Sequence, residues 1–512
     1  MDNIHTALKL ITRDCWMASL DLKDAYYSVP IHPASQKFLK FSYKGTLLKF
    51  TVFPNGLSSC PRNFTKLFKP VLATLCVKGH IIIIYIDDLF LVGHSYEQCV
   101  NTVIETLILL EKLGFVIHSS KSVFIPCQEI TFLGFLLNSH EMTIRLTEEK
   151  IAKLTVLITN ILSSANRIKI RMVVQVIGHM VASFPAVEFG PLYYRSLEKD
   201  KSTALSAHKG NFEASMTISH QGKAELNWWL KNLKNSHKNF LLTPIDMVLY
   251  SGWGAALGEQ STGGNWCQQE TELHINVLEM KAAYFALKSF VSKLTGKHVK
   301  LMLDNSTAVF VITNMGTSHN EVLNRIAVEI WEFCMTNKLK LTVAHLPGSD
   351  NIIADKEFRH IYREAEWMLN PCHLQTAIKR FAFKPEIDLF ASRINKQFPK
   401  YCSYRPDPEA MHIDAFSISW STLNFYCFPP FSCILQTVQK IIQEKATGIL
   451  VIPNWPTQPW YPLIAPLLMQ PPQVCPPSQT LLQLPAAPAE SHPLAKKLEL
   501  KICLVSGNNS PQ

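Results

Sequence analysis

A chain of 512 residues, 47% hydrophobic and 18% charged, exceeds what one hydrophobic core holds and is too mixed for a fibrous or disordered protein, so about three or four folded domains are expected. Fifty lysines and arginines against forty aspartates and glutamates give a formal charge of +10, which favours an acidic partner such as nucleic acid without identifying one. Thirteen cysteines, with no CxxC pair, indicate neither a disulfide framework nor a structural zinc site and suit a reducing, intracellular setting.

The opening MDNIHTALKLITRDCW has no long apolar core and no small-residue cleavage site, so it does not read as a signal peptide. Nucleus or cytoplasm is the expected place, with no secretion. The longest apolar run, IIIIYIDDLFLVG at 81–93, carries two aspartates that would cost several kcal/mol in lipid, so no membrane span is expected. Its length, β-branched content and flanking glycines predict a strand or hairpin.

Neighbours on a strand point to opposite faces, so Asp87 and Asp88 enter one site only if a turn lies between them. A hairpin apex would supply it. An Asp pair in isolation most often just marks a turn. Beside a buried apolar strand, however, two carboxylates repel each other and lose hydration unless something positive sits between them. Upstream, SLDLKDAYYSVPI offers Asp21 and Asp24 on a second half-buried strand, although Asp24 could equally be a solvated surface charge. Carboxylates converging on two divalent cations clamp the attacking and leaving oxygens of a phosphoryl displacement.

From Thr147 the spacing of Ile151, Leu154, Ile158 and Ile161, after Glu148 and Glu149, predicts a helix-rich segment to about residue 240. Residues 246–360 return to alternating strands and helices. A further α/β segment follows, and the proline-rich PPQVCPPSQTLLQLPAAPAESHP is expected to hang free.

LDLKDAYYSVPI, FPNGLSSCPRNFTKLF and YIDD after an isoleucine run together resemble reverse transcriptases, and more specifically DIRS-like, tyrosine-recombinase-type retrotransposons. The resemblance implies that Asp21, Asp87 and Asp88 are the catalytic carboxylates, with the Leu22 carbonyl helping to hold metal. It places Tyr26 at the steric gate against a 2′-hydroxyl, and Asn55, Gly56 and Tyr85 at the nucleotide and template. Lys121 matches the lysine that protonates the pyrophosphate, and TFLGF at 131–135 resembles the primer grip. Singly, Tyr26 could be a core aromatic, Gly56 a turn residue and Lys121 a solvated charge. Relatives carry longer fingers ahead of the corresponding point, so truncated fingers are expected.

MVLYSGWGAAL, INVLEMKAAYFAL, VKLMLDNSTAV and HLPGSDNIIADKEFR resemble, in that order, the RNase H domain of such elements. Glu279, Asp304 and Asp355 then match three of its four metal-binding carboxylates. The fourth is missing, because Tyr250 and Ser251 run directly into Gly252 and Trp253, and Asp246 lies too early. Cleavage of RNA should therefore be severely reduced. EIDLFASRINKQFPKY, FPPFS and NWPTQPWYP resemble the C-terminal segment of DIRS-like elements, sometimes compared with adenine-N6 methyltransferases. FPPF lacks the leading Asp or Asn of the methylase motif, so a structural or nucleic-acid-positioning role is expected there.

The expected fold is thus a multidomain α/β chain: a reverse transcriptase palm with truncated fingers (α+β) over 1–140, a helical thumb/connection over 141–245, an RNase H-like α/β domain over 246–360, a C-terminal α/β segment over 361–470 and a flexible tail over 471–512. The implied activity is RNA-directed DNA polymerisation with an attached ribonuclease domain, two Mg2+ or Mn2+ ions per active site. The implied partners are an RNA template, a DNA primer, an RNA/DNA hybrid and deoxynucleoside triphosphates. The rival reading is a decayed or repurposed nucleic-acid-binding pseudoenzyme.

Overall fold

The computed structural model describes residues 3–164, 168–241, 243–252, 254–347 and 367–509. Its chain divides into two compact units, Met1–Leu242 and Thr243–Gln512, both mixing helices and strands.

In the first unit, Ile81–Tyr85 pairs with Asp88–Gly93, which pairs with Trp16–Lys23; Val116–Ile117 and Val123–Cys127 line the far side of Trp16–Lys23, and every pairing is antiparallel. The isoleucine run shows no alternation because both faces of this sheet are covered. Ile82, Ile84, Leu89 and Leu91 share one core with Phe64, Phe68 and Leu72 of the helix Cys60–Cys76 and with Val103 and Leu110 of the helix Tyr96–Lys112. Ile83, Phe90 and Val92 join a different core with Ile4, Phe132 and Leu137. Each such buried side chain contributes roughly 1.5–3 kcal/mol, so strand register is strongly fixed.

The helix Glu148–Ser163 buries Ile151, Leu154, Ile158 and Ile161, the stripe its periodicity predicts. The segment expected to be helical also contributes to a second antiparallel sheet, in the order His237–Asn239, Thr143–Leu146, Phe135–Asn138, Glu129–Phe132. Its strands are only three or four residues long, too short for alternation to announce them. Two helices of this unit, Arg195–Ala207 and His220–Asn232, satisfy each other's free N–H groups. Glu225 accepts from the N–H of Ser196 and of Leu197, both at 3.0 Å. Asp200 accepts from the N–H of Ser219 at 2.9 Å and from its hydroxyl at 2.7 Å.

The second unit holds two large sheets. One runs Gln260–Gly263, Gly254–Leu257, Met247–Ser251, His298–Leu303, Lys340–His345, antiparallel in its first two pairings and parallel in its last two. The helix Ile275–Ser289 lies against it, with Ala282, Ala283 and Ala286 buried. The other sheet has seven strands: His412–Ile413, Lys400–Ser403, Ile387–Asp388, Asn424–Cys427 and Thr447–Pro453 are parallel, followed by antiparallel Leu500–Ser506 and then Gln473–Cys475. Strand order reverses beside Ile387–Asp388, the position at which doubly wound sheets open a crevice. There Asp388 is turned to internal use, accepting from the N–H of Phe390 at 3.2 Å and of Gln397 at 3.0 Å.

The expected free tail over 471–512 is corrected by this sheet. Gln473–Cys475 and Leu500–Ser506 are two of its strands, and Leu500, Ile502 and Leu504 are buried. The prolines fall outside the ladders, where their missing N–H costs nothing, and the apolar runs between them do the packing.

Arg393, in the loop after Ile387–Asp388, ties the two sheets of this unit together. Its guanidinium donates to Glu270 at 3.2 and 2.8 Å and to the Asn265 carbonyl at 3.0 Å, and sits 4.9 Å from the Phe285 ring centre. Lys281 donates to the same Glu270 at 2.9 Å. The Arg393 and Glu270 side chains are only 11% and 9% exposed. Burial pushes the Glu270 carboxyl up, but hydrogen bonds from Arg393 and Lys281 outweigh it and hold the group at about 2. Truncating one partner of a buried pair strands the other charge, so Arg393→Ala should cost about 3 kcal/mol in chemical denaturation, and Arg393→Lys should recover little because it cannot bind bidentately. A depressed carboxyl stabilises above its ordinary 4.5 and loses that contribution as pH falls toward 2. The difference between wild type and Arg393→Ala should therefore shrink at pH 3; an equal difference at pH 3 and pH 7 would contradict the ion-pair account.

Candidate active site

The Asp pair sits where two strands turn. Tyr85 and Asp88 face each other across the hairpin, leaving Ile86 and Asp87 as its apex. Ile86 adopts φ 60, a left-handed conformation that costs a β-branched residue on the order of 1–3 kcal/mol and persists because the strands on either side are buried. The turn resolves the alternation problem: Asp88 stays in the ladder directly opposite Asp21, while Asp87 leaves from the loop.

Backbone bonds fix this corner. The Asp87 carbonyl accepts from the Leu22 N–H at 2.9 Å, and the Asp21 carbonyl accepts from the His118 N–H at 2.8 Å. The Asp21 N–H donates to the Ser122 hydroxyl at 3.0 Å, which itself donates to the His118 carbonyl at 2.9 Å. Lys121, next to Ser122, acts on the carboxylates of both Asp87 and Asp88. Burial first, then the charges of Asp87 and Asp21, push Asp88 up to about 6, with Lys121 opposing. Asp87 is raised chiefly by burial and by Asp21, again against Lys121. Asp24 is exposed at φ 53 and contributes to neither shift.

Tyr26 is half-buried, its ring edge-on to Phe64 at 5.6 Å, and its phenol is raised by burial and by the charge of Asp87. Asn55 donates to the Tyr27 hydroxyl at 3.1 Å, so it reaches the neighbour of Tyr26. Gly56 has φ 91, a backbone conformation that glycine adopts at no steric cost. Among the described residues no three His, Cys, Asp or Glu side chains form a ready metal cage. The set nevertheless fits a divalent cation: Asp87 and Asp88 are raised by burial and by neighbouring carboxylates, Asp21 among them, with Lys121 alone opposing by its charge.

The profile of the reverse transcriptase (RNA-dependent DNA polymerase) family matches residues 1–137. That match covers about a quarter of this chain. The Gag-Pol polyprotein of gibbon ape leukemia virus is 32% identical over 131 residues, 24% of this chain and 8% of that protein. That of koala retrovirus is 32% identical over 130 residues, with the same shares of 24% and 8%; that of walleye dermal sarcoma virus is 30% identical over 125 residues, 24% and 7%. The matched stretch thus spans less than a tenth of these relatives' length. Among solved structures, the foamy viral protease-reverse transcriptase in complex with RNA/DNA hybrid has a TM-score of 0.41 at 17% identity over 72% of this chain and 50% of that one. The same protein in complex with dsDNA has a TM-score of 0.39 at 16% identity over 68% of this chain and 71% of that one.

The matched stretch ends in the TFLGF hairpin, whose apex residues Leu133 and Gly134 both have positive φ. Lys150, from the next helix, donates to the Leu133 carbonyl at 3.0 Å and lies 4.0 Å from the Phe135 ring centre. Burial pushes its pKa down. A Cβ on Gly134 would stand 2.4 Å from the Lys150 Cε. Sequence reading missed this clamp, as it missed Ser122 and His118; nothing distinguishes these residues from surface polar groups until the chain is folded.

Beyond the matched stretch, Glu279 on the helix Ile275–Ser289 and Asp304, just past the strand His298–Leu303, form a second acidic pair. Burial first, then Asp304, push Glu279 up to about 7, and its Oε2 is buried without a hydrogen bond. Asp355 lies outside the described residues. Ser251 is level with Leu303, and the next residue, Gly252, donates to the Gly254 carbonyl at 2.8 Å to close a tight turn. Asp246 lies at the opposite end of that strand, accepting from the His298 N–H at 2.7 Å.

A carboxyl raised above its ordinary 3.8 opposes folding once ionised, so its stabilising protonated form is lost as pH rises through about 6. Asp88→Asn should therefore be more stable than wild type by about 1–2 kcal/mol at pH 8, after discounting for partial solvent screening, and equal to it near pH 4. Denaturant titrations at the two pH values check this; a pH-independent difference would show that Asp88 is not crowded by its neighbours.

Proposed function

We propose that this chain is the RNA-directed DNA polymerase of a retroelement, extending a DNA primer on an RNA template with deoxynucleoside triphosphates. The observation that carries the reading is Asp21 facing Asp88, with Asp87 at the strained apex and Lys121 acting on both. Asp21, Asp87 and Asp88, with the Leu22 carbonyl, would hold two Mg2+ or Mn2+ ions, which when bound neutralise charge at the transferring phosphoryl group. Lys121 delivers the proton that the departing pyrophosphate takes up. Tyr26, packed on Phe64, blocks the space of a 2′-hydroxyl, while Asn55, Gly56 and Tyr85 border nucleotide and template. The finer reading, a DIRS-like element, is supported by the motif order and by FPPF following the parallel strand Asn424–Cys427 of the C-terminal sheet.

For the segment resembling RNase H, a second reading is favoured: it binds an RNA/DNA hybrid without cutting it. The strand that would present the missing carboxylate stops at Ser251 and turns at Gly252. Misplacing a reacting group by about 1 Å can cost about a hundredfold in rate, so a set of carboxylates that lacks one of its four members, and would hold its cations loosely, should leave cleavage near background.

Primer extension on an RNA template tests the first reading. Asp87→Asn/Asp88→Asn should abolish extension and should also remove the rise in Tm that magnesium gives the wild type. Tyr26→Ala should raise ribonucleotide incorporation at least tenfold. Extension that survives the double substitution would sink the proposal.

Hybrid cleavage by the wild type should be at background and should reappear when Asp-Ala-Ser is inserted between Tyr250 and Ser251, then vanish with Asp304→Asn. Robust cleavage by the unmodified chain, abolished by Glu279→Gln, would show that another residue completes the site.

A further inference from the structure

Between Asp24 and Asp87 the sequence contains no aspartate or glutamate, yet it contains eight lysines and arginines. Four of these, Lys37, Lys40, Lys44 and Lys49, lie on or beside a two-stranded ribbon formed by Lys40–Tyr43 and Thr46–Lys49. The ribbon turns at Lys44 and Gly45, both with positive φ, and all eight strand residues are exposed. Its apolar side chains are uncovered as well: Phe38 is 76% exposed, Leu47 66% and Tyr43 58%. Lone two-stranded ribbons are marginal in water, and large apolar side chains left exposed on both faces of one call for a partner.

The register sorts the ribbon into two faces. Phe41, Tyr43 and Leu48 share one, and Lys40, Leu47 and Lys49 share the other. Cations lie against the rings: Lys37 is 5.1 Å from the centre of Phe38 and Lys44 is 5.4 Å from the centre of Tyr43. A protein partner of ordinary composition would suit the apolar side chains but gives no reason for an acid-free stretch of this length. A polyanion with accessible planar rings suits both features, because aromatic side chains stack on bases while lysines neutralise phosphates. In a duplex the bases are already stacked on one another, so the matching form is single-stranded.

We propose that the ribbon at residues 37–50 is a binding surface for single-stranded nucleic acid that wraps around it, with Phe38 and Tyr43 stacking on unpaired bases while Lys44 at the turn and Lys40 and Lys49 on the face opposite Tyr43 contact phosphates. The inference rests on the nucleic-acid reading above and needs no catalysis. The experiment measures fluorescence anisotropy of a labelled 20-nucleotide oligouridine with the full chain across a salt series. Lys40→Gln/Lys44→Gln/Lys49→Gln should weaken binding at least tenfold and lower the slope of log K against log salt by about 2, as expected for three lost phosphate contacts on a single strand. Phe38→Ser/Tyr43→Ser should weaken binding about tenfold or more with the slope unchanged, and replacing the three lysines with arginine should restore it. The substituted positions are exposed, so an unchanged Tm checks the fold.

Equal affinity of all variants and wild type would overturn the inference. So would ribbon variants that lose self-association in size-exclusion chromatography while binding the probe normally, since the ribbon would then be covered by a second copy. Primer extension is run in parallel. Ribbon-dependent binding without extension supports this inference and counts against the polymerase reading alone, whereas extension with ribbon-independent binding overturns this inference alone.

Discussion

Two like charges facing each other across a sheet that is apolar on both sides are the constraint on which the first unit depends. Asp21 and Asp88 are direct cross-strand neighbours, an arrangement that is destabilising without compensation. It survives because the flanking residues leave no other register. Moving either strand by one position would drive Ile82, Leu89 or Leu91 out of one core and Ile83, Phe90 or Val92 out of the other. The same burial supports the left-handed Ile86 at the apex and so aims Asp87 toward the corner that Lys121, Ser122 and His118 complete. Folding energy from an ordinary core is thereby stored as crowded charge at one edge of the sheet.

The second unit repeats the device in reduced form. Glu279 is raised by burial and by Asp304, but the strand beside Asp304 turns away at Gly252, so its third side is empty of carboxylate among the described residues. What this unit builds strongly instead is the bond between its two sheets. The loop that follows Asp388, at the point where strand order reverses, folds inward on Asp388 and sends Arg393 to Glu270. Lys281, which shares that carboxylate, stands two residues from Glu279 on the same helix. The C-terminal sheet is thus coupled to the helix that bears Glu279.

Much of this was legible before folding. The block YIDD after an isoleucine run, the acidic strand upstream, and the stripe Ile151, Leu154, Ile158, Ile161 are local patterns, and local patterns follow from the periodicities of strand and helix. They determined that the first part of the chain resembles reverse transcriptases, that Asp87 and Asp88 need a turn between them, and that the long helix begins near Glu148. Only tertiary structure decided the rest. The proline-rich end reads as free chain, yet its last apolar run, Leu500–Ser506, pairs along its whole length with the distant strand Thr447–Pro453. Arg393 and Glu270 are 123 residues apart, and Asp21 meets Ser122 across 101; Lys150 looks like any lysine in a helix until it reaches the Leu133 carbonyl. Periodicity records which face of an element is apolar. It holds no information about which distant polar group that face will bring within 3 Å, because that is settled by packing of whole elements and not by the residues on either side.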